Sequence, residues 1–195
     1  MAVSSKNKRF NWIQLFLFCL PAFVLQVTAK ERWVLHIRDE FASKEIISMT
    51  LDSVGNRWFG TKQGLVRMSP TENWDIFNPK STSGALPGDT IHCMLVDQYG
   101  DVWIGTDKGL VKYSNGDFES FTVESTRGGL PHNSVLSIAM DINSNKWMGT
   151  HNGFAQLANS IWTTYSGSKI SGNINDPRIM AIETGEGKDI WLGTV

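Results

Sequence analysis

Cysteine is nearly missing from this chain of 195 residues, which has only Cys19 and Cys93. Cys19 lies in an N-terminal stretch expected to be removed, so no intramolecular disulfide can form, whatever the compartment. A surplus of either charge is missing too. Lys+Arg number 18 and Asp+Glu 19, a formal net charge of −1, which argues against a nucleic-acid partner. The four histidines, His36, His92, His132 and His151, lack the close, regular spacing of a zinc site. There is no phosphate-binding glycine loop, and no Ser/His/Asp trio has a nucleophile-elbow context. No metal, cofactor or catalytic residue is therefore assigned, and the chain is not expected to be an enzyme.

Long apolar runs occur only at the start. Lys6, Lys8 and Arg9 precede an almost unbroken apolar stretch from Leu15 to Leu25, and Val27-Thr28-Ala29 offers small residues for cleavage before Lys30. Residues 1–29 thus read as a signal helix for export to the periplasm or the exterior. An uncleaved membrane anchor is the rival, since 12–29 approaches the roughly 18–20 residues needed to span a bilayer. Gln14, Pro21 and Gln26 weaken that rival. Without the three leader cations, 15 Lys+Arg face 19 Asp+Glu, a mildly acidic net charge of −4.

What the chain has in abundance is repetition. Trp58-Phe59-Gly60-Thr61, Trp103-Ile104-Gly105-Thr106, Trp147-Met148-Gly149-Thr150 and Trp191-Leu192-Gly193-Thr194 restate one motif, with Trp58, Trp103, Trp147 and Trp191 spaced 45, 44 and 44 residues apart. That period suits a four-stranded propeller blade of about 40–50 residues. Upstream of the first three motifs lie turns begun by Asp52, Asp97 and Asp141. Each aspartate is better placed to cap its own turn than to join the others in binding calcium or moving protons. Downstream, Gly64, Gly109 and Gly153 mark tight hairpins.

Strands are predicted between the turns, best formed as Ile91–Val96, Val102–Thr106, 109–113 and 118–122. One column of the first strand holds Ile46, Ile91, Val135 and Ile179, and a second holds Met49, Met94, Ile138 and Ile182. A small-residue column, Ser48, Cys93, Ser137 and Ala181, runs between them. Sheets meeting face to face near a crowded axis explain this phasing. The tryptophans are then wedges between blades, and Gly60, Gly105, Gly149 and Gly193 permit close approach. The expected fold is all-β: a partial β-propeller of about three and a half four-stranded antiparallel blades after the signal helix. The mature domain, 30–195, divides into an outer strand at 32–37, blades at 46–78, 91–123 and 135–165, and a half blade at 179–195. Trp33 resembles the residues that open the fourth strands, so its strand is expected to complete a last blade and latch the ring. Fewer blades than the roughly four to eight that close a ring imply a partial gene product, or arcs that pair.

The run Asp-x-x-Gly-Asn/Asp-x-Trp-x-Gly-Thr-x-x-Gly-Leu, led by Gly129-Leu130-Pro131-His132-Asn133-Ser134-Val135, resembles the two-component regulator propeller repeat. Ala85-Leu86-Pro87-Gly88-Asp89-Thr90-Ile91 matches the lead-in loosely, the lead-in before Ile179 is degenerate, and Gly185 replaces the turn aspartate of the last unit. The resemblance covers roughly 46–194. It implies a periplasmic or extracellular ligand-sensing propeller, often joined to a membrane helix and an output domain such as a histidine kinase. No output domain occurs in this sequence, so kinase activity does not carry over.

Ligand-binding residues are expected on the blade face where second-to-third-strand turns and inter-blade crossovers emerge together. The turns present Lys62, Gln63, Asp107, Lys108, His151 and Asn152, and the crossovers present Arg127, His132 and Arg178. These positions vary between units while the framework does not. For any one of them, an ordinary solvated turn residue is the plainer explanation. The expected partners are a small molecule (a saccharide, by resemblance alone) and further blades or a partner chain. An interaction scaffold is the alternative function. A propeller lyase or hydrolase ranks lower, because the first-strand columns are mostly apolar, with Glu183 the main exception.

Overall fold

The computed structural model describes residues 45–166, 176–185 and 189–195, together with the backbone of two strands near the N-terminus. These two, β1 (Phe23–Val27) and β2 (Trp33–Ile37), pair antiparallel from Phe23↔Ile37 to Val27↔Trp33. Most of the expected signal helix lies outside the described residues. Its stretch Phe23–Val27 is strand, and the outer strand at Trp33–Ile37 pairs with that stretch rather than with a blade.

The blades follow in chain order. Blade 1 comprises β3 (Ile46–Leu51), β4 (Arg57–Thr61), β5 (Gly64–Met68) and β6 (Trp74–Phe77). Blade 2 comprises β7 (Ile91–Val96), β8 (Val102–Thr106), β9 (Gly109–Ser114) and β10 (Asp117–Phe121). Blade 3 comprises β11 (Val135–Met140), β12 (Lys146–Thr150), β13 (Gly153–Ala158) and β14 (Ile161–Tyr165). Blade 4 is the pair β15 (Ile179–Thr184) and β16 (Ile190–Thr194). Each sheet is an antiparallel meander, and the first strands pack side by side. Among the described residues there is no helix long and apolar enough to cross a membrane.

Three columns of the repeat explain why the sheets stack. Gly60, Gly105, Gly149 and Gly193 pair with Ser48, Cys93, Ser137 and Ala181 across the first two strands. A Cβ on Gly105 would stand 2.4 Å from Cys93 Sγ and 2.9 Å from the Val135 carbonyl oxygen of the next blade. The bare glycine and small partner therefore leave a slot that Ile91, Val135 and Ile179 of the following blades fill, each fully buried. Burial also pushes the Cys93 thiol up to about 12, so it packs as an inert filler. Each first strand carries a bulge at Ile47, His92, Leu136 or Met180, which the ladder skips.

The tryptophans wedge between blades, as the repeat predicts. Trp58 joins Leu65, Leu86, Ile91, Ile104 and Val111 in the core between blades 1 and 2. Trp103 joins Leu110, Leu130, Val135 and Met148 between blades 2 and 3. Their indole N–H groups donate to Asp52 Oδ2 and Asp97 Oδ2, both at 2.9 Å, and Trp147 repeats the bond to Asp141 at 3.0 Å. The other oxygen of each aspartate accepts two backbone N–H groups of its turn. Trp191 departs from this scheme. It is 68 % exposed, and its indole nitrogen lies against Gly185, where the other blades carry the aspartate.

Burial alone would raise the pKa of Asp52, Asp97 and Asp141, but the indole N–H, the backbone N–H groups and a further side chain (Asn56, Lys146 and Asn145 respectively) outweigh it and hold all three below the ordinary carboxylate value. A carboxyl with a lowered folded pKa contributes stability above its unfolded value, near 3.8, and loses it as pH falls through the folded one. The share of the urea midpoint that these three carboxylates supply is thus expected to be constant from pH 7 to about 5 and to drop steeply below about 4. A midpoint unchanged at pH 3 would show that these bonds do not couple to folding.

Candidate functional site

The second-to-third-strand turns are built alike by a threonine. Thr61, Thr106 and Thr150, all fully buried, donate their hydroxyls to the carbonyls of Gly64, Gly109 and Gly153 at 2.9, 2.8 and 2.8 Å. The same oxygens accept the N–H groups of Gln63, Lys108 and Asn152 at 3.0, 3.0 and 3.1 Å. Each turn is closed on both sides, and its two tip residues are displayed on a fixed backbone.

The crossovers are also built alike, a regularity missed in reading the sequence. Thr82 and Thr126 donate to the carbonyls of Asn78 and Thr122 and accept the N–H groups of Leu86 and Leu130. Both leucines are fully buried, so the loop is pinned at its centre. Ser81-Thr82-Ser83-Gly84-Ala85-Leu86-Pro87 and Ser125-Thr126-Arg127-Gly128-Gly129-Leu130-Pro131 could have revealed this by alignment. Arg127 takes the left-handed position (φ 54) that Ser83 takes (φ 53), with its side chain in solvent.

The residue after the crossover proline meets the turn of the blade it leads into. In blade 2 this is Gly88 against Asp107, where a Cβ would stand 2.1 Å from Asp107 Oδ1. That oxygen is buried and has no hydrogen-bond partner among the described residues. In blade 3 it is His132 against His151, with ring centroids 5.5 Å apart and planes 22° from parallel. His132 Nδ1 accepts the Ser134 N–H at 2.9 Å, leaving Nε2 as the outward nitrogen. Ahead of blade 4 the aligned residue is Asp176, bound by Arg178 through its side chain and backbone N–H and held at about 2.

Six polar side chains from blades 2 to 4 therefore share one face: His92, Asp107, His132, His151, Asp176 and Arg178. His92, half-buried on the bulge, lies in the electrostatic reach of Asp107 and His151. Burial lowers its pKa, Asp107 opposes that, and His151 reinforces it. Neither His92 nor Asp176 is among the ligand-binding residues expected from the sequence. The structure does not gather all the expected residues. Lys62 pairs with Glu45 at 2.6 Å at the blade 1 end of the arc. Lys108, Arg127 and Asn152 are exposed, with no side-chain bond among those described. No set of three His, Cys, Asp or Glu among the described residues is arranged to hold a metal ion.

Residues 85–108, from the crossover into the turn of blade 2, match the model of the Two component regulator propeller family. No curated protein matches the chain. Among solved structures, the extracellular domain of the hybrid two component system BT3049 from B. thetaiotaomicron is similar, at 24 % identity and TM-score 0.65, over 83 % of this chain and 23 % of that one. Virginiamycin B lyase from Staphylococcus aureus overlays with TM-score 0.66 at 16 % identity, over 88 % of this chain and 56 % of that one. PorZ, a surface component of the type-IX secretion system of Porphyromonas gingivalis, overlays with TM-score 0.56 at 15 % identity, over 84 % and 27 %. The chain spans between about a quarter and somewhat over half of these proteins. The likeness shows the propeller fold, which serves proteins of different activity.

Proposed function

We propose that this chain is an exported sensing or interaction module of a two-component-type signalling protein, and that it binds a small ligand on the crossover face of blades 2 to 4. One observation carries this reading. On a framework that repeats bond for bond, the departures from repetition (Gly88, His132 and Asp176 in one column; Asp107 and His151 in another) stand together on rigid turns. A site specific for one ligand must break the symmetry of its scaffold, and loops on a fixed frame are where binding is built. His132 and His151 would present a flat polar platform, and the Asp107 carboxylate would add negative charge close to His92. A saccharide, which the family resemblance suggests, has suitable groups. Residues 1–29 would direct export, and further blades or a partner chain would cover Trp191 at one end of the arc and Met49 and Leu51 at the other.

The test is a histidine-resolved NMR titration with a panel of small ligands, first on the parent chain and then on His132→Ala/His151→Ala. A ligand that shifts the His92, His132 and His151 ring signals is expected to lose affinity by about tenfold or more in the double variant. Lys62→Ala, on blade 1, should leave it unchanged. Equal effects of the two variants, or signals that no ligand moves, would defeat the proposal.

A further inference from the structure

The opposite, outer side of the arc departs from the repeat in one place only among its complete seams. Between blades 1 and 2 the seam is filled. The Tyr113 ring sits 5.0 Å from Trp58, Phe118 packs on Tyr113 at 4.9 Å, and Phe77 closes against both tyrosine and tryptophan. Arg67 lies over Trp58 and donates to the Tyr113 hydroxyl at 2.8 Å, which seals the surface. Between blades 2 and 3 the residue equivalent to Tyr113 is Leu157, and Lys112 replaces Arg67. With neither ring nor hydroxyl to meet, Lys112 turns to Asp101 at 2.7 Å. A cavity of about 410 Å³ is left open to solvent, within the size range of small-molecule sites.

Its lining has a defined chemistry. Trp103, Phe121 and Trp162 form an aromatic wall with centroid separations of 5.9 and 5.8 Å. Gln98, Asn143 and Asn159 bring exposed amides from the turns. The two cations are already neutralised, Lys112 by Asp101 and Lys146 by Asp97 at 3.1 Å, and both lie over the Trp103 ring. Glu119, the cross-strand partner of Lys112 and within its electrostatic reach, leaves these five groups with one negative charge in excess, which disfavours an anion. The lysines already occupy the ring that a ligand cation would seek. An uncharged molecule with an apolar face and many hydroxyls remains.

We propose that the seam between blades 2 and 3 is a second binding site, separate from the crossover face, for a neutral polyhydroxylated ring of the sugar class. The test is tryptophan fluorescence of the whole chain titrated with maltose, cellobiose and lactose, with glucuronate and glucosamine as charged controls. At least one neutral disaccharide is expected to change the emission saturably, and the charged sugars to do so more weakly. Lys112→Arg/Leu157→Tyr rebuilds the filled seam of blades 1 and 2, so it should keep the melting temperature and weaken binding by about tenfold or more. Tyr99→Ala, which removes a ring 76 % exposed at the cavity edge, provides an independent variant and should weaken binding without unfolding the chain. His132→Ala/His151→Ala should leave the titration unchanged. Saturation by none of the neutral sugars, preference for glucuronate, or full affinity in both seam variants would overturn the proposal.

Discussion

Asp97→Ala is expected to lower the unfolding free energy by about 3–5 kcal/mol, the usual cost of leaving one member of a buried ion pair behind. Its carboxylate accepts the Trp103 indole N–H at 2.9 Å and the backbone N–H groups of Tyr99 and Asp101 at 2.9 and 3.2 Å. It also holds the ammonium of Lys146, which crosses from blade 3 and is itself only 9 % exposed. Losing Asp97 thus frees two turn donors, one indole donor and one buried cation together. Asp141→Ala removes the same turn and indole bonds without a cation, at a partly buried site, and should cost about 1–2 kcal/mol. Lys146→Met in the Asp97→Ala background should recover part of the loss, because no charge is then stranded. Urea unfolding of the four proteins decides the matter. Equal losses for Asp97→Ala and Asp141→Ala would mean that the inter-blade ion pair contributes nothing.

The second large effect is expected at Gly105. An alanine there would meet Cys93 Sγ at 2.4 Å and the Val135 carbonyl oxygen at 2.9 Å. The cysteine can turn away, but the carbonyl belongs to the backbone of the next blade, so the two blades must part. A cost of about 3 kcal/mol, the upper end for overpacking, is expected. Cys93→Gly should rescue it only in part. Gly193→Ala is the internal control. Its new methyl would find nothing nearer than Ala181 Cβ at 3.2 Å, and its cost should stay below about 1 kcal/mol. Matching urea midpoints for the two variants would show that the motif glycine does not set blade spacing.

Much of this was legible in the residues. Trp58, Trp103 and Trp147 recur because each fills the same wedge, and Asp52, Asp97 and Asp141 recur because each holds that wedge and its own turn. Strand ends came within about a residue or two, since glycine turns bound them on both sides. The bulge at His92 was not legible, because a skipped ladder position leaves no mark on the alternation of side chains. The site was legible in outline only. His132 and His151 are nineteen positions apart in the chain, and a crossover leading into its own blade brings them into ring contact. Lys62 and Arg127 looked equivalent to them as exposed polar residues, yet they lie apart.

What the sequence determined alone is the module: its period, its turns, its apolar columns, and the glycine and small residue that face each other across two strands. These are local or strictly repeated demands, and every copy states them again. What only the tertiary structure decided is where copies differ to effect: the open seam left by Leu157, the exposed Trp191, and the polar cluster at the crossovers. Those outcomes depend on which side chain of one blade stands against which of the next. That juxtaposition is set by the stacking of sheets, and no single stretch of chain encodes it.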